Sequence, residues 1–326
     1  MRFVVYGAGA VGGVIGGNLA ASGQEVALIA RGDQLTALGA DGLELVSAAG
    51  SRRFRLPSYG CPDELDWRDD DVVIITVKGQ HTTEVATALA AVAPPTITVV
   101  AGQNGVANER VLLRHFASVL GMWVMLPATN LSPGRVGQHA HPVPGILDVG
   151  RYPHGTTKVA ETVAAALTEA GFASVPRPDI MRWKYRKLIG NLGNAIDALC
   201  IPGDDAKELA RVVRTEAADL LARLGIDVAT EEEAQARRGD LMQYHRLAEV
   251  PESGSSTWQS LARGTGNTEV AHLNGEIVLL AREHDQLAPA NELLCHELLA
   301  ATKAGTEPRS INAATLLDRP GVRDSA

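Results

Sequence analysis

The glycines at the start of the chain have the spacing of a phosphate-binding turn. Gly7, Gly9 and Gly12 follow the pattern G-x-G-x-x-G. The first glycine of such a turn allows a tight bend, the second lets the backbone approach a pyrophosphate, and the third lets a helix pack on a strand. Free N–H groups at the start of that helix then face the phosphates. A dinucleotide is therefore predicted to bind the segment Gly7-Ala8-Gly9-Ala10-Val11-Gly12.

A second set of polar side chains recurs at helical spacing. Lys184, Lys187, Asn191 and Asn194 are three, four and three residues apart, so on one continuous helix they form a single stripe. Apolar residues on the other faces indicate that neighbouring elements cover much of this helix. Polar groups in a covered position need partners, which a polar ligand would supply. A stripe that faces solvent is the alternative interpretation.

The elements around the glycine turn form a βαβ unit. Residues 2–6 are typical of a buried strand, a helical run continues to Ala21 and stops at Gly23, and residues 25–30 form a second apolar run. Glycines throughout the helix interrupt the apolar core that a secretory signal would need. The unit predicts a Rossmann-type dinucleotide-binding domain.

The residue after the second strand indicates which dinucleotide binds. NAD-binding chains usually place Asp or Glu there, whereas this chain has Ala30-Arg31, with Asp33 past the strand end. A guanidinium suits a 2′-phosphate. We therefore expect NADP(H), with Arg31 as the residue that binds the phosphate.

Two further polar residues follow predicted buried strands. Lys78 comes after the apolar run 71–77, and Asn104 lies in the segment 102–105 after the run 96–100. Ligands of open α/β sheets bind beyond the carboxyl ends of the strands, which makes both residues candidates for the site. A solvated loop lysine and a plain Asn-Gly turn are the alternatives.

Pro176 and Pro178 separate two kinds of sequence. Beyond them the periodicity is helical almost throughout, including predicted helices over 180–199 and 230–245. The predicted fold class is α/β, with a Rossmann-type NADP-binding domain over residues 1–176 and an all-helical substrate and dimerisation domain over 177–304. Residues 305–326 are predicted to be a frayed, flexible tail.

Composition excludes several other classes of protein. The 326-residue chain has a net charge of −8 and no compensating basic block, which argues against nucleic-acid binding. No apolar stretch approaches the length of a membrane span of about 18 residues. The three cysteines are isolated, without the spacing of a zinc site or a disulfide framework, and His139 and His141 lack further metal ligands. We therefore expect a cytoplasmic protein without a metal.

Several of these stretches, taken together and in order, resemble the ketopantoate reductase (2-dehydropantoate 2-reductase) family. The resemblance covers residues 1 to about 300. The matching stretches are residues 7–12, Arg31, Val77-Lys78, Gln103-Asn104-Gly105, Tyr185-Arg186-Lys187-Leu188-Ile189-Gly190-Asn191, Ser255-Ser256-Thr257-Trp258-Gln259, and Thr268-Glu269 followed by Leu273-Asn274-Gly275.

The resemblance implies an NADPH-dependent reduction of a 2-oxo acid to a 2-hydroxy acid, with ketopantoate as the default substrate and pantothenate biosynthesis as the pathway. It implies that Lys187 is the general acid and that Glu269 binds the substrate hydroxyl and orients the lysine. From their positions alone, Ser256 could be only a helix cap and Glu269 a routine first-turn acid. The remaining positions that match the family are Asn191, Asn194 and Ser256 for the substrate, Lys78 for the cofactor, and Asn104 for both. The resemblance also suggests a homodimer, although the sequence leaves the oligomeric state open.

Two departures from the family pattern flank the expected substrate site. Asn194 follows Asn191 by three residues instead of four, and the segment 261–267 is one residue longer than in the family. Asp197 adds a carboxylate nearby. Two alternatives therefore stay open: the same scaffold reducing another 2-oxo acid or an imine, and an NADP(H)-binding regulator without turnover.

Overall fold

The computed structural model describes residues 1–249, 254–262, 264 and 268–323. The chain forms two compact units, the first comprising Met1–Asn104, Asn108–Lys184 and Glu231–Pro251, and the second Gly105–Ala107, Tyr185–Thr230 and Glu252–Ala326. The strands are β1 (Phe3–Tyr6), β2 (Val26–Ile29), β3 (Leu43–Ser47), β4 (Gly50–Phe54), β5 (Ser58–Tyr59), β6 (Val72–Ile75), β7 (Thr98–Ala101), β8 (Ser118–Met125), β9 (Ala128–Ser132), β10 (Arg135–Gln138), β11 (Ala140–Pro142), β12 (Ile146–Arg151) and β13 (Met242–Tyr244). The helices are α1 (Ala10–Ala21), α2 (Gly32–Asp41), α3 (Thr82–Ala90), α4 (Asn108–Leu112), α5 (Lys158–Glu169), α6 (Ile180–Asn191), α7 (Asn194–Leu199), α8 (Asp204–Arg223), α9 (Glu231–Arg238), α10 (Ser256–Ala262), α11 (Asn274–Glu283), α12 (Pro289–Ala304) and α13 (Ala313–Leu317).

The first unit is built on a sheet of order β12-β8-β7-β6-β1-β2-β5. Its strands run parallel except β12, which pairs antiparallel with β8. The apolar strand residues are buried on both faces: Val5 packs with α1 and α5 residues, whereas Val4 packs with residues of α3 and α4. This arrangement explains the nearly continuous apolar runs of the strands. The Rossmann-type fold predicted from the sequence is confirmed.

A smaller sheet of order β4-β3-β10-β9 packs on the glycine-rich face of α1. A Cβ added to Gly13 would lie 2.8 Å from Val136 Cγ1 on β10. The glycines inside α1 therefore let the helix approach this sheet closely, at a cost in helix propensity of about 1 kcal/mol each.

The helix predicted over 230–245 is wrong beyond its first two turns. After α9, the chain forms β13, which pairs antiparallel with β11 and so belongs to the first unit. The fully buried Asp148 on β12 accepts hydrogen bonds from Arg177 Nε (2.6 Å) and from Arg237 Nη2 on α9 (2.7 Å). A buried carboxylate needs such cationic partners, and Arg237 thereby ties this segment to the first unit.

The second unit is helical in the part that the structure describes, as the sequence predicts. It contains α7, α8 and α10 to α13, together with α6 from Tyr185 onward. The segment predicted as a frayed tail includes α13, whose Leu316 and Leu317 are buried and which packs on α8. Within residues 1–249, 254–262, 264 and 268–323, no helix is both long and apolar enough to cross a membrane.

Candidate active site

The glycine turn between β1 and α1 has the geometry that a pyrophosphate requires. Gly7 has a φ of +105°, which disfavours other residues. A Cβ on Gly12 would lie 2.4 Å from both Gly7 O and Thr76 Oγ1, whereas a Cβ on Gly9 would meet nothing within 4 Å. The first turn of α1 carries neither a side-chain cap nor an acidic residue. Open space next to uncapped N–H groups fits a dinucleotide phosphate.

The other predicted cofactor residues lie at the same edge of the sheet. Arg31, Lys78 and Asn104 follow the carboxyl ends of β2, β6 and β7, which are neighbours of β1 or of one another in the sheet. The Arg31 side chain is largely exposed and its Nη1 lies 3.1 Å from Glu84 Oε1 on α3. The structure therefore brings the predicted cofactor-binding residues together.

Lys184, at the start of the predicted polar stripe, is partnered by groups of the protein itself. It is 3% exposed and pairs with Glu109 of α4, whose side chain is fully buried. Its Nζ also donates to the carbonyl oxygens of Ala101 and Gln103, each at 3.3 Å. Lys184 thus holds the end of β7 immediately before Asn104. Glu109 has no distinguishing signal in the sequence, because an acid in a first helical turn is routine.

The predicted continuous helix over 180–199 is broken. α6 ends at Asn191 and Asn194 begins α7, with Gly193 between them. Arg214 of α8 occupies the space next to this glycine, since a Cβ there would lie 2.9 Å from Arg214 Nη2, which donates to Gly190 O at 3.4 Å. Asn194 therefore lies on a separate helix, while Lys187 and Asn191 remain one turn apart on one face of α6.

The side-chain amide of Asn191 is an unusual buried donor. Its Nδ2 is inaccessible to solvent and has no hydrogen-bond partner among the residues that the structure describes. An unpaired buried N–H costs about 1–3 kcal/mol. A bound ligand with an oxygen acceptor would remove this cost.

A buried network supports the end of α6 behind Asn191. Asn274 Nδ2 donates to Leu192 O (3.2 Å) and to Asn291 Oδ1 (3.0 Å). Glu216 in turn accepts hydrogen bonds from the backbone N–H groups of Ala290 (2.8 Å) and Asn291 (3.0 Å) at the start of α12. The carboxylate is favoured there by the helix dipole. Asn274 matches the family pattern in the sequence, but that match does not predict this role.

Ser256 and Asn194 are linked through Ser255. Ser255 Oγ lies 3.3 Å from Asn194 O, to which it donates, and accepts from Trp258 N at 3.2 Å. Ser256 itself is exposed at the first position of α10. The lengthened segment 261–267 lies partly outside the described residues.

Glu269 precedes a short 3₁₀ turn over Val270–His272, and α11 begins only at Asn274. The expectation that Glu269 is a first-turn acid of an α-helix is therefore wrong. Burial lowers the pKa of His272, and the Glu269 charge partly counteracts this shift. The two side chains therefore lie close enough to interact electrostatically.

Family models match most of the chain. The model described as "Ketopantoate reductase PanE/ApbA" matches residues 3–154, and "Ketopantoate reductase PanE/ApbA C terminal" matches residues 179–302. The chain belongs to the ketopantoate reductase family. It is an oxidoreductase that uses a nicotinamide dinucleotide as cofactor.

Relatives within this family cover nearly the whole chain. The 2-dehydropantoate 2-reductase of Halobacterium salinarum is 31% identical over 319 residues, which are 94% of this chain and all of the relative. The enzyme of the same name from Archaeoglobus fulgidus is 31% identical over 291 residues, 86% of this chain and 91% of the relative.

Solved structures share the fold. The ketopantoate reductase of Ralstonia eutropha superposes with a TM-score of 0.79 at 28% identity, covering 94% of this chain and all of that chain. A D-mandelate dehydrogenase solved with NADH and anilino(oxo)acetate also has a TM-score of 0.79, covering 94% of this chain and 99% of that chain, and at 20% identity it shows the fold alone.

Proposed function

We propose that this protein reduces a 2-oxo acid to the 2-hydroxy acid with NADPH, ketopantoate being the default substrate and pantoate the product. The observation that carries the proposal is the pair Lys187 and Asn191, which lie one turn apart on one face of α6. The buried Nδ2 of Asn191 has no hydrogen-bond partner among the described residues. A cation and an amide donor on one face suit an oxygen-rich anionic ligand. Family membership supplies the reaction class.

The proposed cofactor form depends on Arg31. The chain has no carboxylate at the end of β2 to bind a ribose 2′-OH. Among the described residues, the exposed Arg31 guanidinium forms one ion pair, with the exposed Glu84. A solvent-screened pair of this kind contributes little, so a 2′-phosphate can take the place of the carboxylate at small cost. Arg31 thus favours NADP(H) over NAD(H).

The bound cofactor supplies the hydride, and this chain's residues handle the charge and the proton. Lys187 stabilises the negative charge that develops on the carbonyl oxygen and then delivers a proton to it. Glu269 accepts a hydrogen bond from the substrate hydroxyl and orients the lysine. Asn191, Asn194 and Ser256 bind the rest of the substrate.

A second candidate is the reduction of a different 2-oxo acid or an imine. The observation that favours it is the break after Asn191, which puts Asn194 at the start of α7, on a different helix from Lys187. Substrate contacts made from that position differ from those of an asparagine on a continuous helix. A dimer of this chain is also proposed, because one structural relative, from Staphylococcus aureus, is described as dimeric.

The deciding experiment measures oxidation of NADPH by purified protein with ketopantoate, a panel of other 2-oxo acids and imines, and NADH as the alternative cofactor. Fast turnover with ketopantoate supports the main proposal. Turnover only with another member of the panel supports the second candidate. NADPH binding without any turnover would contradict both and leave a non-catalytic NADP(H)-binding regulator.

Two variants, each with a matched control, test the proposed roles of Lys187 and Arg31. Lys187→Ala should lower kcat by at least about 100-fold with NADPH affinity nearly intact, whereas Lys207→Ala, on the exposed side of α8, should not. Unchanged turnover would remove Lys187 from its role.

Arg31→Ala should weaken NADPH binding by at least about tenfold and NADH binding much less. Arg68→Ala is the matched control, since Arg68 is similarly exposed and pairs with one carboxylate, Glu25. Equal losses for both cofactors in Arg31→Ala would contradict the phosphate assignment.

A further inference from the structure

The C-terminal segment, beyond the residues that the family models match, contacts the residues around the start of α10, the helix that begins at Ser256. The second family model ends at residue 302. Past that point, Arg309 N donates to Ala198 O (2.9 Å), Ile311 N donates to Leu199 O (2.9 Å) and Ile201 N donates to Ile311 O (2.9 Å). These bonds fasten the segment to the end of α7, and α13 then packs on α8.

Arg309, which belongs to this segment, contacts Asp197. Its Nη2 lies 2.8 Å from Asp197 Oδ1, and its Nε donates to Asp197 O at 3.3 Å. The Arg309 backbone has a φ of +57°, which is uncommon for a residue with a side chain. Such a conformation persists where surrounding contacts determine it, as the bonds to Ala198 and Asp197 do here.

Asp197 in turn holds the loop before α10. Its Oδ2 accepts a hydrogen bond from Ser255 N at 2.6 Å, and Ser255 Oγ donates to Asn194 O. The Arg309 guanidinium also lies over the ring of Trp258, 5.2 Å from its centroid. One arginine therefore fixes both the backbone just before Ser256 and the aromatic ring just after it.

The contact with Arg309 also affects the protonation of Asp197. Burial raises the pKa of Asp197, but the hydrogen bonds from Ser255 and Arg309 outweigh it, and the pKa lies below its ordinary value. Asp197 is therefore ionised, next to residues proposed to bind an anionic substrate. Arg309 compensates that charge locally, so that it does not repel a carboxylate ligand.

We propose that Arg309 is a positioning residue for the substrate: through Asp197 and Trp258 it holds the Ser255–Ser256 loop in place and neutralises the carboxylate beside it. The proposal rests on the proposed function, because it assumes that Ser256 faces a 2-oxo acid. It assigns a role to a part of the chain that the family models do not cover.

The test compares Arg309→Ala, Asp197→Asn and the double variant in the full-length protein, with ketopantoate and NADPH. Arg309→Ala should raise the KM for ketopantoate about tenfold or more, and change kcat and the KM for NADPH by less than about threefold. Asp197→Asn should raise it less, since the Arg309 cation that remains does not repel an anionic substrate. Adding Asp197→Asn to Arg309→Ala should therefore restore part of the loss, and Arg309→Lys should restore part of it as well.

Arg323→Ala is the matched control. It removes an exposed arginine of the same segment, which forms an ion pair with the exposed Asp318. Its KM values should equal those of the unmodified protein. A ketopantoate KM that is unchanged in Arg309→Ala, or that rises no more than the KM for NADPH, would overturn the proposal.

Hydrogen–deuterium exchange of the peptide 254–262 separates this proposal from the proposed function. Exchange there should speed up about tenfold in Arg309→Ala and stay unchanged in Arg323→Ala. Unmodified protein that does not turn over ketopantoate refutes the proposed function, whatever the exchange shows. Unchanged exchange in Arg309→Ala refutes the positioning role, whatever the turnover shows.

Discussion

Replacement of Lys184 by methionine tests the buried ion pair between Lys184 and Glu109 at the end of β7. Lys184 is 3% exposed and the Glu109 side chain is fully buried. Methionine has a similar length but no charge, so the variant leaves the Glu109 carboxylate inside the first unit without its cation. Loss of one partner of a buried pair costs about 3–5 kcal/mol of unfolding free energy. The carbonyl oxygens of Ala101 and Gln103 lose a donor as well.

This cost corresponds to a large change in thermal stability. For a domain of roughly 150–250 residues, 1 kcal/mol shifts Tm by about 2–4 °C, so we expect a fall of roughly 6–20 °C. Calorimetry and urea unfolding would measure it. Lys207→Met is the control, because Lys207 is 80% exposed in its pair with Asp204 and should matter by less than about 1 kcal/mol.

A double variant decides whether the charge is responsible. Adding Glu109→Gln to Lys184→Met removes the uncompensated carboxylate and should recover a substantial part of the lost stability. A Lys184→Met protein within about 1 kcal/mol of the unmodified chain would refute the reasoning. So would a double variant whose loss equals the sum of the two single losses.

Three further predictions concern the turn and two histidines. Gly12→Val should weaken dinucleotide binding at least about tenfold in a titration, because its side chain would clash with Gly7 O and Thr76 Oγ1, whereas Gly39→Ala on α2, where a Cβ meets nothing within 4 Å, should not. Burial lowers the pKa of His139 from 6.5, so as the pH falls the unfolded chain protonates this histidine at a higher pH than the folded chain does. The stability contributed by the buried neutral His139 is therefore complete above about pH 6.5 and is lost as the pH falls toward the folded pKa. His139→Gln should flatten that part of the pH profile of unfolding free energy, and an identical slope in both proteins would contradict the prediction. Glu269→Gln should lower the pKa of His272 further in an NMR titration, because the neighbouring negative charge raises it, and no change would mean that the two side chains do not interact.

The sequence by itself determined the elements whose signal is local. The strands of the main sheet are short apolar runs because both of their faces are buried. The glycine turn can be recognised because Gly7 and Gly12 occupy positions that only glycine fits. The helical periodicity likewise predicted a helical second unit. The position of Arg31, Lys78 and Asn104 at one edge of the sheet followed from these elements, since parallel strands place their carboxyl ends on one side.

Only the tertiary structure decided which polar residues are buried and with what partner. Lys184 and Lys187 have the same local signal on α6, yet Lys184 pairs with Glu109 from a distant part of the chain. The break at Gly193, the pairing of β13 with β11 and the return of Arg309 to Asp197 depend likewise on residues far apart in sequence. Periodicity reports which face of an element is covered but not what covers it, because that contact is formed only when the chain folds.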